Sequence, residues 1–147
     1  MPLATAALCA CGAPPSSPEQ EIRSLVAEAV RAAEERDIGA VKELISERYA
    51  DEQGRDKRAV GATIGFYLLR HHAVHVLTRV GDMTFPRAGR AQATVLAALA
   101  GDAIASVDSL AGMRADLYRF ELRLAREDGD WRVTFASWRP ATLGEFF

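Results

Sequence analysis

Beyond residue 11 the chain has no cysteine, and its 147 residues hold only two, Cys9 and Cys11. No disulfide can tie the folded part together, and a Cys9–Cys11 bridge would close a tiny strained loop that constrains nothing. Lysine is nearly missing too: Lys42 and Lys57 stand among 18 basic residues, and the rest are arginine. No apolar run approaches the ~20 residues a membrane-spanning helix needs. Phosphate loop, dinucleotide fingerprint and nucleophile elbow are all absent. Net charge is only −2, which excludes a broad electrostatic pull on nucleic acid or anionic lipid. What is present, 49% hydrophobic and 26% charged residues, excludes disorder and fibrous repeats and fits one domain with one core.

The first 18 residues are a segment of their own. Leu3 to Ala10 is small and apolar, and Pro14-Pro15-Ser16-Ser17-Pro18 is a stiff, solvated linker. Leu8-Cys9-Ala10-Cys11-Gly12 has an apolar residue three before a cysteine and a small residue just before it. This pattern resembles the lipobox of a bacterial lipoprotein signal peptide. The resemblance implies acylation at Cys11, a membrane anchor there, and a periplasm-facing place in the cell envelope. A complete signal has a basic start and ~7–15 apolar residues. Here no Lys or Arg precedes Arg23, so the expectation is a partial signal whose true start lies upstream. If this segment is not a signal, the alternative is a cytoplasmic protein.

Residues 19–147 are expected to form a single domain. Ser17-Pro18-Glu19-Gln20 is a helix start, with Ser17 capping and Gln20 completing the capping box. Ile22, Leu25, Val26, Ala29, Val30 and Ala33 recur at helical spacing as one apolar stripe. Asp37 is placed to cap a second helix that turns Ile38, Val41, Leu44 and Ile45 inward. After a polar loop from Asp51 to Asp56, a third helix has Val60, Ile64, Tyr67 and Leu68 as its stripe. The period then falls to two. Val74, Val76, Thr78 and Val80 alternate with His75, Leu77 and Arg79, Pro86-Arg87-Ala88-Gly89 reads as a turn, and Ala93, Val95, Ala97 and Leu99 mark the next strand. Residues 103 to 113 read as loop with some extended structure. Tyr118, Phe120, Leu122 and Leu124 form the clearest amphipathic strand, and Asp128-Gly129 is a hairpin turn into a last strand from Trp131.

Helices first and antiparallel strands after predict an α+β fold, three N-terminal helices packed on one curved antiparallel sheet. The order of elements, ending in Asp-Gly-Asp-Trp-Arg-Val-Thr-Phe, resembles the cone-shaped nuclear transport factor 2-like (cystatin-like) superfamily over about residues 19 to 139. That resemblance implies a cavity between helices and sheet, and a homodimer formed through the sheet's outer face. The superfamily holds isomerases, dehydratases and cyclases beside non-enzymatic binding domains, so the fold leaves activity undecided.

Strand parity assigns inward side chains. His72 and Thr78 share parity with Val74, Asp116 with Tyr118, and Ser137 and Arg139 with Trp131. An enzymatic reading takes Asp116 as general base, with Tyr118 or His72 as donor to an oxyanion, because an apolar cone raises a carboxyl's pKa. The competing and favoured reading puts Asp116 at the solvent rim, paired with Arg114 or Arg139, and leaves the domain binding a small apolar molecule or a protein partner without catalysis. Tyr49, Tyr67, His72, Thr78, Tyr118 and Trp138 are then the expected wall of a pocket for a small apolar molecule. His71, His72 and His75 sit at a junction with no glutamate between them, so no metal is expected there. No cofactor is implied, and the alternating charges of residues 119–126 make a solvated or dimer-facing surface rather than a nucleic-acid platform.

Overall fold

The structure, a computed structural model, describes residues 16–147, so the lipobox reading at Cys11 lies outside the described residues. Helix α1, Pro18–Glu34, starts where its cap dictates. The Gln20 amide donates to Ser17 Oγ at 3.2 Å, and the Ser17 amide donates to Gln20 Oε1 at 3.1 Å, which satisfies two otherwise orphaned donors. Helix α2, Ile38–Glu43, is capped by Asp37, and helix α3, Lys57–Arg70, by Asp56. Between α1 and α2 the chain turns through Arg36, at φ 61. The Arg36 guanidinium then donates to the carbonyls of Leu68 at 2.6 Å and His72 at 3.0 Å, and to that of His71. One side chain thereby satisfies the exposed carbonyl end of α3 and clamps it to the end of α1.

Four strands follow: β1 His75–Arg87, β2 Arg90–Ala100, β3 Ala115–Glu127 and β4 Asp130–Pro140. They form one antiparallel sheet in chain order. The β3–β4 hairpin turns on Asp128 and Gly129, with φ 51 and 86, the two positive angles that a two-residue turn of matching twist requires. The sheet's edge at β4 is covered by the chain after α2. The Ser46 amide donates to the Val133 carbonyl at 2.9 Å, the Val133 amide to the Leu44 carbonyl at 2.9 Å, and the Ala50 amide to the Thr134 carbonyl at 3.2 Å. These bonds take up edge groups of Val133 and Thr134 that would otherwise be open to another chain.

Three sequence expectations need correction. The turn expected over Pro86-Arg87-Ala88-Gly89 is confined to Ala88-Gly89: β1 runs on to Arg87, with register slips between Val80 and Met83 and between Thr84 and Arg87. Pro86 is tolerated because it lies on an edge strand within an irregularity, where no ladder donor is needed. Residues 108–112 are a 3-10 helix rather than extended chain, with Leu110 buried beneath it. Ser137 and Arg139 point away from the helices. The register slips between Arg123 and Leu124, so Trp131 and Val133 face inward before Thr134, and Ala136 and Trp138 face inward after it. One extra residue reverses the parity of everything beyond it.

Both faces of the sheet carry apolar packing. Against the helices, Ile22 and Leu25 of α1 meet Ala91, Ala93, Leu124 and Trp131 at the hairpin end. Further along, Ile45, Tyr49, Val60 and Ala136 form a second cluster. On the opposite face Leu96 and Ala98 are covered by Leu110 and Phe146, both from 3-10 segments of the same chain. Phe146 is wholly buried. Its segment is tied down by Arg139 Nη2, which donates to Glu145 Oε1 at 2.6 Å, and by the Thr142 amide, which donates to Glu145 Oε2 at 2.8 Å. The Arg139 hydrogen bond, helped by the Thr142 amide, holds the Glu145 carboxyl down to about 2. Part of the surface that the resemblance assigns to dimerisation is therefore covered by the chain's own C-terminus.

Phe146→Ala should lower stability by about 3–5 kcal/mol, the range for emptying a fully buried aromatic site. Urea unfolding followed by tryptophan fluorescence measures it. A loss under about 1 kcal/mol would mean that the C-terminal segment does not hold that face.

Candidate functional site

The inward positions of β2 are Ala91, Ala93, Val95, Ala97 and Leu99, facing Leu124, Leu122, Phe120, Tyr118 and Asp116 of β3. These β2 side chains are mostly small. Near Ala91 and Ala93 the gap above the sheet is filled by Ile22, Leu25 and Trp131. Beyond Val95 it is not filled, and a cavity of about 330 Å3 remains. Its roof is the stripe of α1 (Val26, Ala29, Val30, Ala33) with Val60, Ile64 and Leu68 of α3. Its floor includes Val76, Thr78, Val95, Ala97, Phe120 and Trp138. Tyr118, Phe120 and Trp138 make an aromatic run along the floor, with neighbouring ring centres 6.1 and 6.2 Å apart. The only polar side chains on the wall are Tyr49, Thr63, Tyr67, Thr78 and Tyr118; among the described residues no carboxylate, imidazole or cation lines it.

The polar ends of two of these tyrosines are engaged at the rim. Tyr49 is 3% exposed, and its hydroxyl donates to Asp51 Oδ2 at 3.1 Å. Burial, then the hydrogen bond and charge of Asp51, push the Tyr49 phenol up to about 12. Asp51 also accepts from Arg55 Nε at 2.8 Å and from the amides of Gln53 and Arg55 at 3.0 Å. Burial alone would raise the Asp51 carboxyl, but the Arg55 amide and guanidinium and the Tyr49 hydroxyl outweigh it and hold it below the usual range. Arg55 in turn lies over the Trp138 ring, 4.4 Å from its centre. The 51–56 loop thus fixes both Tyr49 and Trp138 from outside the cavity.

On the other side, Tyr67 of α3 donates its hydroxyl to Asp116 Oδ2 at 2.8 Å. Burial and the adjacent Asp116 carboxylate raise the Tyr67 phenol above its usual range. Asp116 itself is exposed. It lies outside the apolar cavity, on a second, polar chamber of about 460 Å3 that shares Tyr67 and Leu99 with the first.

Tyr49, Tyr67, Thr78, Tyr118 and Trp138 of the expected pocket residues lie on the cavity wall, and His72 does not. The pleat begins only at His75, so the alternation that pointed His72 inward has no strand beneath it; His72 is exposed on the connector and lends its carbonyl to Arg36. Asp116 has Tyr67 as its partner rather than Arg114 or Arg139, and Arg139 is taken by Glu145. His71 stacks on Tyr67, ring centres 4.4 Å apart. Among the described residues no group of three or more His, Cys, Asp or Glu is arranged to hold a metal ion. Sequence reasoning missed Thr63 and the part that small residues play on β2. The signal was there, an alanine at four inward or flanking positions from Ala91 to Ala98, but it read only as strand.

The helices over a curved four-stranded sheet are the nuclear transport factor 2-like, or cystatin-like, cone fold. A nuclear transport factor 2-like protein of unknown function from Pseudomonas putida superposes with a TM-score of 0.60 at 19% identity, over 82% of this chain and 84% of that one. A protein of unknown function with a cystatin-like fold from Nostoc punctiforme gives 0.61 at 10% identity, over 84% and 90%. The hexachlorocyclohexane dehydrochlorinase LinA-type3 of Novosphingobium barchaimii gives 0.64 at 13% identity, over 84% and 86%. No protein-family model matches the sequence, and no curated protein does. At these identities the likeness establishes the fold, and the fold hosts enzymes as well as proteins of unknown activity.

The raised pKa of Tyr49 gives a signed expectation. A phenol that ionises later in the folded chain than in the unfolded one contributes stability that is complete below pH 10.0 and is lost as pH climbs through about 12. Tyr49→Phe should remove that high-pH loss. Denaturant midpoints from pH 9 to 12 measure it, and an unchanged slope in the variant would show that Tyr49 is not the group responsible.

Proposed function

We propose that this protein is a binding domain that holds a small apolar molecule in the cone without transforming it, at the bacterial cell envelope, tethered by lipid on Cys11. The observation that carries the ligand reading is the wall of the cavity. A space of about 330 Å3 bounded mainly by aliphatic and aromatic side chains, with no carboxylate, imidazole or cation among the described residues on it, rewards burial of apolar surface and supplies little for proton transfer. Two of its hydroxyl groups, those of Tyr49 and Tyr67, are spent on carboxylates at the rim.

The enzymatic reading with Asp116 as general base has less support. The carboxylate is solvent-exposed and accepts from Tyr67, and His72 lies off the wall. The anchor reading rests on the Leu8-to-Gly12 pattern and the linker after it.

Diphenylhexatriene, an apolar dye that brightens on leaving water, should bind the purified protein saturably. Ala97→Leu, placed on the cavity floor, should weaken binding by about tenfold or more. Its thermal midpoint should hold or rise, because a side chain that fills an existing void need not overpack. Equal dye binding by the variant would put the site elsewhere. Cys11→Ser should move the full chain from the membrane to the soluble fraction of bacterial cells; unchanged fractionation would overturn the anchor.

A further inference from the structure

Resting on the cavity reading above, we infer that the natural ligand is an amphiphile carrying a hydrogen-bond donor, hydroxyl or ammonium, at one end, and that the carboxylate of Asp116 receives it. The two chambers adjoin. Leu99 and Tyr67 line both, and Leu99 is the register partner of Asp116 across β2 and β3. Along β3 the inward positions run Asp116, Tyr118, Phe120, each about 7 Å from the next. One face of one strand therefore passes from a charged acceptor in water to an apolar floor within two steps. A molecule lying along it would rest its body on Tyr118 and Phe120 and end beside Asp116.

The local hydrogen bonding leaves the acceptor available. Tyr67 occupies Oδ2 at 2.8 Å, and Oδ1 has no protein donor among the described residues. The Tyr67 hydroxyl is committed as donor to that carboxylate, so it cannot also serve a carboxylate on the ligand. Asp116 would repel such a group, while Arg114, exposed on the same chamber, opposes that preference. Both groups are exposed, but Tyr67 fixes Asp116 at the junction itself while the Arg114 side chain has no such tie among the described residues, so the donor end should prevail. His71, stacked on Tyr67, keeps that ring at the boundary between the two spaces.

Matched ten-carbon probes test this by displacement of diphenylhexatriene from the full chain. Decanol and decylammonium should each bind about tenfold more tightly than decanoate, the order expected for one hydrogen bond to a charged acceptor. Their relative affinities tell a neutral donor from a charged one. In Asp116→Leu the preference should collapse toward parity while dye binding persists. Asp116→Asn, which keeps an acceptor for Tyr67, is the second variant and should lose the preference for ammonium over carboxylate. Decanoate binding as well as the other two, or a preference that survives both variants, would overturn the assignment of Asp116. In either case dye binding by the unmodified chain would leave the cavity reading standing. Failure of the unmodified chain to bind the dye would overturn the cavity reading and this inference with it.

Discussion

The constraint on which the rest of this molecule depends is the small size of the inward side chains on β2. A sheet roofed by helices has to fill the space between them or leave it hollow, since close packing is the norm in protein interiors. At the hairpin end, small residues on β2 are matched by large ones opposite. Ile22 and Leu25 from α1 and Trp131 from β4 descend onto Ala91 and Ala93. Toward the other end α1 supplies only Ala29, Val30 and Ala33 above Val95 and Ala97, and Ile64 and Leu68 of α3 do not close the gap that persists. The void is thus written into both layers. It costs contact energy that a filled core would recover, and that cost is what a bound apolar molecule would offset.

Keeping such a space open requires that its polar walls be held from outside. Tyr49 and Trp138 are fixed by a loop whose centre is Asp51, a carboxylate with four donors on it and no solvent contact of its own. Tyr67 is fixed by Asp116, and the end of α3 by Arg36. The Asp51 ties lie within the connection from α2 to α3, whereas Arg55 over Trp138, Tyr67 to Asp116 and Arg36 to the end of α3 each join two elements. None crosses the cavity, so the ties hold the walls apart without intruding on the space. The same economy holds at the sheet's margins, where main-chain bonds from Leu44, Ser46 and Ala50 close the β4 edge.

Much of this was legible in the sequence, and the parts that were not share a cause. Helix starts at Ser17, Asp37 and Asp56 are local chemistry, and the three-residue reach of a capping side chain needs no tertiary context. The inward sets of β1, β2 and β3 follow from alternation, which held from Val76 to Val80 and from Tyr118 to Leu124. Alternation failed at Ser137 and Arg139 because an extra residue at Thr134 is stabilised by a distant partner, the Ala50 amide, which no local pattern announces. It failed at His72 because a parity rule was applied before the strand began. Within the site, wall residues on strands were readable from their spacing. The hollow itself was not, since it is a difference between two layers and neither layer's sequence states it alone.

The opposite face of the sheet carries the argument one step further. Cone folds leave that face for a partner or must cover it themselves. Here Phe146 and Leu110 lie on Leu96 and Ala98, and the Arg139–Glu145 pair, with the capping box at Thr142, anchors the covering segment. Exposed ion pairs contribute little to stability, so the segment's hold rests on the burial of Phe146, and the polar contacts set its position. A surface already satisfied by its own chain gains less from a second copy than a bare one would. The remaining outward residues of β3, Arg119, Glu121 and Arg123, pair among themselves or stack on neighbours: Arg119 with Glu121, Arg123 over Phe135. Any partner for this face would have to displace those contacts. The inner face, by contrast, keeps a hollow of about 330 Å3 that the chain's own side chains leave unfilled.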